Sequence, residues 1–259
     1  MEKHVFKKKF GQNFLNDNSI INNITSSINP TEDDLIIEIG PGSGALTKNL
    51  VKYNSNLICY EVDKDLENTL NQIKNDKTQI IFDDFLKRDI QKDISKINYR
   101  NLYIIGNLPY YITTPIILSI IESRVDVKEM VFMVQKEVAE RFSAKPGTKE
   151  YGSISVLLNY YFDIKKLFDV SRTKFYPIPN VDSSVIKLVK KDNILPVEFE
   201  KFNKLVKDSF QYKRKNIRNN LKAYDLNRVE GVLTKYGYSL SSRSEELSYE
   251  IFVELANTL

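Results

Sequence analysis

Three polar side chains follow apolar, β-branched stretches of the sequence, each within two residues of the point where the stretch ends. They are Glu61, Asp84 and Asn107. In an open α/β sheet, the carboxyl ends of parallel strands meet at one edge, and ligands bind there. Carboxylate and amide oxygens accept hydrogen bonds from hydroxyl and amino groups. The spacing therefore predicts a binding edge suited to a ligand rich in such groups.

The loop Asn107-Leu108-Pro109-Tyr110 combines a carbonyl acceptor, a rigid bend and a flat aromatic ring. The lone pair of an exocyclic adenine amine is delocalised into the ring, so the amine attacks poorly. The Asn107 oxygen and a nearby main-chain carbonyl can accept hydrogen bonds from both N–H groups of the amine. Tyr110 can stack on the base, a contact that stabilises binding by about 1–3 kcal/mol. A simple turn explains Asn107 alone, and a packed surface aromatic explains Tyr110 alone. Together they favour a clamp for a nucleobase amine.

The turn Gly40–Ala45 has the sequence Gly-Pro-Gly-Ser-Gly-Ala, which satisfies the dinucleotide-binding pattern G-x-G-x-x-G/A. Glu61 follows at the spacing of a carboxylate that accepts hydrogen bonds from a ribose diol. Glu38, inside the preceding strand, is an unusual charge that can bond the N–H groups of a neighbouring loop. The pattern indicates a nucleoside-bearing cofactor, and by itself leaves open a nicotinamide dinucleotide or a tight turn without a ligand.

Seven stretches are predicted to be strands. Segments whose apolar residues have helical spacing lie between most of them. The strands are predicted at Leu35–Ile39, Leu57–Tyr60, Gln79–Phe82, Leu102–Ile105, Met130–Val134, Ile164–Val170 and Val185–Val189. This alternation predicts a doubly wound α/β sheet. The charged stretch Lys190–Pro196 is the predicted domain boundary, and Glu198–Leu259 is predicted to be a small helical domain.

The composition narrows the chemistry. The 259 residues include one histidine, His4, and one cysteine, Cys59, so a zinc site, a histidine-based triad and an internal disulfide are not expected. The sequence contains neither an apolar run long enough for a membrane span nor a signal peptide's apolar segment. We expect a cytoplasmic monomer that uses no metal.

Basic residues are concentrated in two places, although the net charge is only +4. One is the amino-terminal segment Glu2–Phe10, with four lysines. The other is Lys201–Lys222, with eight Lys or Arg residues against one acid, Asp208. Such clusters suit a phosphate backbone, and a solvated face is the alternative.

Several motifs, spread over nearly the whole chain, strongly resemble the ribosomal RNA adenine N6-dimethyltransferases, most closely the small-subunit (kasugamycin-sensitivity) branch. The motifs are Gly11–Leu15, Glu38–Gly44, Asn107–Tyr110, Gln135–Arg141, Phe175–Ser183, Lys213–Leu221 and Ser241–Ser248. Two positions depart from the common pattern. Tyr111 stands where many members have asparagine, and Ile178 where many have proline.

The resemblance implies S-adenosylmethionine as the methyl donor. Asn13 and Leu15 would close over it, and Gly40 would approach its methionine part. Glu61 would take the ribose hydroxyls and Asp84 the adenine amine. Because Asp83 is adjacent to Asp84, the assignment between these two remains open.

The resemblance also implies the target site. Asn107 would lie between donor and target, Leu108 would give the main-chain carbonyl, and Tyr110 with Phe175 would sandwich the target adenine. The implied reaction dimethylates two adjacent adenosines near the 3′ end of small-subunit (16S) rRNA, in RNA or in a pre-assembled subunit, late in assembly.

The implied fold is a Rossmann-like methyltransferase sheet, mostly parallel with a late antiparallel strand, in residues 1–190. A helical RNA-binding domain would follow in residues 196–259. A basic helix near Lys213, Arg214, Lys215 and Arg218 is predicted to hold the RNA backbone.

Three other functions stay open. The sister branch, which methylates a large-subunit adenosine and confers macrolide resistance, shares the donor motifs. A non-catalytic RNA-binding assembly factor could keep the same fold. A nicotinamide oxidoreductase is supported by the glycine turn alone.

Overall fold

The computed structural model describes residues 13–259, so the amino-terminal lysines, His4, Gly11 and Gln12 lie outside the described residues. The described chain forms two compact units. The first contains the residues up to Ala139 together with Lys165–Val189, and the second contains Glu140–Ile164 and Lys190–Leu259. The junction at Val189 lies next to the predicted boundary, whereas residues 140–164, which we had expected in the first domain, pack with the second unit.

Nine strands are present among the described residues. They are β1 (Phe14–Leu15), β2 (Leu35–Ile39), β3 (Asn56–Tyr60), β4 (Thr78–Ile81), β5 (Leu102–Asn107), β6 (Val127–Gln135), β7 (Phe162–Val170), β8 (Phe175–Tyr176) and β9 (Ser183–Lys190). Seven of them form one sheet in the order β4-β3-β2-β5-β6-β9-β7. Strands β1 and β8 form a separate two-stranded antiparallel sheet, which the sequence did not predict.

Five neighbouring strands of this sheet are parallel: β4, β3, β2, β5 and β6. The next strand, β9, pairs with β6 in the antiparallel sense. All five residues of β2 are buried, as expected of a parallel strand covered on both faces. The predicted parallel sheet with a late antiparallel strand is therefore confirmed. The parallel pairing brings the ends of β2, β3, β4 and β5 to one edge, where the polar residues singled out above lie.

Eleven α-helices are present among the described residues. They are α1 (Asn18–Thr25), α2 (Thr47–Leu50), α3 (Glu67–Asn71), α4 (Ile90–Ile94), α5 (Thr113–Glu122), α6 (Lys136–Phe142), α7 (Ser153–Tyr161), α8 (Phe199–Ser209), α9 (Ile217–Asn220), α10 (Leu226–Lys235) and α11 (Tyr249–Thr258). None of them has the length and apolar character needed to cross a membrane.

The second unit is built from helices that pack apolar faces together. Tyr160 of α7 contacts Phe202 of α8, with ring centroids 4.8 Å apart. Phe210, just after α8, packs against Phe252 of α11 at 5.8 Å. The predicted helical carboxyl-terminal region is confirmed, with α7 as an additional member.

The helix nearest the predicted basic residues is short, and three of the four residues precede it. Lys213, Arg214 and Lys215 lie in an exposed turn, and α9 begins only at Ile217. Asn216 ends the turn because its side chain caps α9 and its main chain forms a bridge with Arg243. Arg218 alone of the four basic residues is helical.

Candidate active site

A cavity of about 310 Å³ opens at the carboxyl edge of the parallel strands. This volume is within the usual range for sites that bind small molecules. Eight of the nine residues predicted for the donor and target sites line it: Asn13, Leu15, Gly40, Glu61, Asp84, Asn107, Leu108 and Tyr110. Residues that are far apart in sequence therefore line one cavity.

Glu61 is held against the glycine turn. One carboxylate oxygen accepts a hydrogen bond from the Gly42 N–H at 2.9 Å, and the other accepts one from the Asp63 N–H at 2.9 Å. Burial raises the pKa of Glu61, although the two N–H donors oppose the shift. Gly40 and Gly42 adopt positive φ angles of 70° and 57°, which glycine allows at little cost. The turn and the carboxylate thus form one fixed wall of the cavity.

Phe14 covers the same turn and received no role in the sequence analysis. A Cβ added at Gly42 would lie 2.8 Å from the Phe14 ring, so the glycine allows the ring to sit directly on the turn. Strand pairing with Tyr176 in the small β1–β8 sheet fixes Phe14. Its position between Asn13 and Leu15, in a motif already singled out, was the signal that could have identified it.

Asp83 and Asp84 differ in how many of their carboxylate oxygens already have a bonding partner. Asp83 Oδ1 accepts a hydrogen bond from the Asp84 N–H at 2.8 Å, and its Oδ2 lies 3.3 Å from the Arg88 guanidinium. Asp84 Oδ1 accepts one from the Leu86 N–H at 3.1 Å. Asp84 Oδ2 accepts no hydrogen bond from residues 13–259. Both residues line the cavity, and Asp84 keeps one acceptor available there.

Asn107 lies at the end of β5 with its side-chain amide oriented. Its Nδ2 donates to the main-chain carbonyl of Asn13 over 3.1 Å, which leaves Oδ1 as an acceptor beside the cavity. The Leu108 N–H donates to the Met133 carbonyl at 3.1 Å, so the loop after Asn107 is tied to β6. A Cβ added at Gly106 would lie 2.5 Å from the Ile39 carbonyl oxygen, so glycine permits the close approach of β5 to β2.

Tyr110 is half-buried on the cavity wall, and its hydroxyl forms a 2.7 Å hydrogen bond with Ser183 Oγ. Burial raises the pKa of the Tyr110 hydroxyl, so it is protonated at neutral pH. Tyr111, the departure from the common pattern, is exposed at the rim of the cavity.

Glu38 is the buried charge beneath the cavity, with 1% of its surface exposed. Its Oε2 accepts hydrogen bonds from Thr47 Oγ1 at 2.7 Å and from Cys59 Sγ at 3.6 Å. Burial raises the pKa of Glu38 from 4.5 to about 7. Burial and the adjacent Glu38 raise the pKa of the Cys59 thiol. Among the described residues, no three His, Cys, Asp or Glu side chains are grouped as a metal site would require.

Comparison with known proteins decides the family. The model of the family described as ribosomal RNA adenine dimethylase matches residues 3–259. The chain belongs to this family.

Individual relatives match the sequence over nearly the whole chain. The ribosomal RNA small subunit methyltransferase A of Aster yellows witches'-broom phytoplasma (strain AYWB) is 42% identical over 257 residues, which cover 97% of this chain and 95% of that protein. The protein of the same name from Lactococcus lactis subsp. lactis (strain IL1403) is 41% identical, covering 98% and 90%.

Solved structures confirm the expected fold. A dimethyladenosine transferase from Plasmodium falciparum superposes with a TM-score of 0.75 at 24% identity, covering 93% of this chain and 95% of that one. The 23S rRNA methyltransferase ErmE superposes with a TM-score of 0.73 at 24% identity, covering 95% and 99%. Because both identities are low, these structures establish the fold of this adenine dimethylase and nothing finer.

Phe175 is the predicted target-site residue that does not line the cavity. Its side chain is 3% exposed and packs in the apolar core of the first unit. The reason is its pairing with Leu15 across the small β1–β8 sheet, which turns the ring inward. A sandwich with Tyr110 would require this ring to be uncovered, so the stacking role of Phe175 stays a prediction.

The four predicted RNA-binding residues of this adenine dimethylase lie in the second unit. Lys213, Arg214, Lys215 and Arg218 are all exposed. The turn that carries the first three is held by the buried Asn220, whose Oδ1 accepts the Tyr212 N–H at 3.1 Å and whose Nδ2 donates to the Tyr212 and Lys215 carbonyls, each at 3.4 Å.

Proposed function

We propose that this protein transfers methyl groups from S-adenosylmethionine to the N6 amines of two adjacent adenosines near the 3′ end of small-subunit rRNA. The observation that carries the proposal is the orientation of Asn107. Since its NH₂ group is bound to the Asn13 carbonyl, its carbonyl is the group available to an incoming amine. This orientation suits an amine substrate and not an oxyanion or a hydride acceptor.

The cavity fits the donor. S-adenosylmethionine would supply an electrophilic methyl group on a sulfonium. Glu61, already oriented by two N–H groups, can accept hydrogen bonds from the ribose hydroxyls. The available Oδ2 favours Asp84 over Asp83 as the acceptor for the donor's adenine amine. Gly40, without a side chain, lets the main chain approach the methionine part.

The target amine needs activation without a strong base. Asn107 Oδ1 and the Leu108 carbonyl can accept its two N–H groups, which draws the nitrogen towards tetrahedral geometry and frees its lone pair. On attack the N–C bond would form as the methyl–sulfur bond breaks, with S-adenosylhomocysteine as the leaving group. The proton would then pass to water, because a methylated ammonium is far more acidic than the neutral amine. Positioning and charge stabilisation in a preorganised site then supply much of the rate.

Aromatic stacking would hold the base. Tyr110 lines the cavity next to Asn107, and its ring would stack on an adenine there. A target inside structured RNA must leave its stack, which costs a few kcal/mol. Stacking worth about 1–3 kcal/mol per base offsets part of this cost. Phe175 is the proposed second face, and the proposal requires it to become exposed when RNA binds.

The small-subunit reading is favoured over its rivals. The relatives at 41–42% identity over at least 90% of their length are named for the small subunit. The ErmE likeness, at 24% identity, concerns the fold that both branches share. A non-catalytic assembly factor would have no need for Asn107, Glu61 and Asp84 around one cavity. A single copy of the chain supplies these residues, and we propose that it acts as a monomer in the cytoplasm.

The second unit would hold the RNA backbone. The turn at Lys213–Lys215 and the nearby Arg218 present four cations to solvent. Asn220 fixes the turn, so the charges have a defined arrangement and are not a loose tail. Contacts of this kind release counterions and make binding depend on salt.

The test offers labelled S-adenosylmethionine with undermethylated small subunits, large subunits and bare rRNA, and then maps the methyl groups. We expect two dimethylated adenosines near the 3′ end of the small-subunit rRNA. Methyl groups only on a large-subunit adenosine would favour the sister branch. RNA binding without any transfer, under conditions in which a small-subunit methyltransferase control is active, would favour the assembly factor.

A further inference from the structure

Ser183 lies where the motif Gln135–Arg141, which has no assigned role, meets the carboxyl end of the motif Phe175–Ser183. It begins β9 and pairs with Gln135 at the end of β6. Next to this pair, the Lys136 N–H donates to the Asp182 carbonyl at 3.0 Å. The motif Gln135–Arg141 and the end of the motif Phe175–Ser183 therefore fix each other at the sheet edge, one strand away from Asn107.

The fully buried Ser183 hydroxyl bonds the Tyr110 hydroxyl at 2.7 Å. The other end of Tyr110 is fixed as well, since the preceding Pro109 carbonyl accepts the Ile112 N–H and Thr113 Oγ1, each at 3.1 Å. The aromatic ring is thus held both through the main chain and through its hydroxyl. A ring held only through the main chain would rotate about its side-chain torsions.

We propose that Ser183 is a positioning residue that holds the Tyr110 ring at the angle required for stacking on the target adenine. The inference rests on the proposed function. Ser183 acts through the Tyr110 hydroxyl, because its own side chain is fully buried and does not line the cavity. Fixing the ring before the base arrives lowers the ordering cost of stacking.

A double-mutant cycle tests this coupling. Ser183→Ala, Tyr110→Phe and the double variant are assayed with undermethylated small subunits, and donor-site binding is measured with S-adenosylhomocysteine. We expect each single variant to lower kcat/KM for the subunit roughly fivefold, as one hydrogen bond allows, with unchanged S-adenosylhomocysteine affinity. The double variant should be no worse than either single one, because both changes remove the same bond.

Two further variants separate positioning from folding. Ser184→Ala is the matched control, since Ser184 is equally buried and bonds Asp169 at 2.6 Å from the opposite face of β9. It should keep wild-type kcat/KM. Ser183→Thr keeps the hydroxyl and should restore most of the activity lost in Ser183→Ala. Tyr110→Phe probes the same bond from the cavity side, so the inference is tested even where Ser183→Ala folds poorly.

The outcomes are distinguishable. If Ser183→Ala costs the same factor in the Tyr110→Phe background as in the wild type, Ser183 does not act through Tyr110 and the inference fails while the proposed function stands. Wild-type kcat/KM in both single variants would overturn it as well. A wild-type protein that methylates no small-subunit adenosine would instead overturn the proposed function, and the inference with it.

Discussion

The side-chain nitrogen of Asn107 lies 3.1 Å from the main-chain carbonyl oxygen of Asn13, although the two residues are 94 positions apart in the sequence. This bond joins the first described segment of the chain to the end of β5. It also decides which end of the amide faces the cavity. Loss of the Asn107 side chain would therefore remove both an acceptor and a tie between two walls of the site.

Replacing Asn107 with alanine should abolish most methyl transfer. We expect kcat to fall by about 10²–10³, the usual loss when one preorganised polar contact to the reacting group is removed. Binding of S-adenosylhomocysteine should survive with only a small loss, since Glu61 and the glycine turn do not depend on this amide and only the tie to Asn13 is lost. Single-turnover methylation and calorimetry measure the two effects separately. Unimpaired turnover would contradict the assigned role.

Gly106→Ala should destabilise the sheet edge. The new Cβ would lie 2.5 Å from the Ile39 carbonyl oxygen, so β2 and β5 must separate. We expect a loss of about 1–3 kcal/mol in the free energy of unfolding, measured with urea, and reduced turnover because Asn107 follows directly. Gly231→Ala is the matched control: its Cβ meets nothing within 4 Å, and alanine favours the interior of α10. Equal stability of the two variants would refute the close-packing argument.

The sequence predicted the ends of the parallel strands well, because buried β-branched stretches and the glycine turn are local signals. Glu61, Asp84 and Asn107 meet because parallel pairing puts them at one edge. The burial of Phe175 could not be predicted, since it depends on the pairing of two very short strands, β1 and β8. The turn at Lys213–Lys215 could not be predicted either. A run of basic residues does not show that the buried side chain of Asn220 will fix it as a turn.

Removing the charges of the basic turn should weaken RNA binding and flatten its salt dependence. For Lys213→Ala/Arg214→Ala/Lys215→Ala, we expect the negative slope of log K against log salt to become shallower by about two units, at roughly 0.7 per lost contact to single-stranded RNA. Asn220→Ala keeps every charge and should lower affinity with a smaller change in slope. Arg228→Ala removes an exposed arginine that pairs with Asp225 and is the control. A triple variant with the wild-type slope would indicate a merely solvated face.

Glu38→Gln should change how stability depends on pH. Burial raises the pKa of Glu38 in the folded protein to about 7, whereas the unfolded chain has a value near 4.5. Between these values the folded state holds a proton that the unfolded state releases, so the wild type loses stability as the pH rises through this window. Glutamine cannot ionise and keeps an acceptor for Thr47 and Cys59. We therefore measure the free energy of unfolding with urea at pH 4.5 and at pH 7.5. Relative to the wild type, the free energy of unfolding of Glu38→Gln should rise between these pH values by at most about 3 kcal/mol.

Glu32→Gln is the control, because it removes the same charge at an exposed position and should show no such rise. If the free energies of unfolding of the wild type and of Glu38→Gln change in parallel with pH, a buried carboxyl that titrates in this window is ruled out.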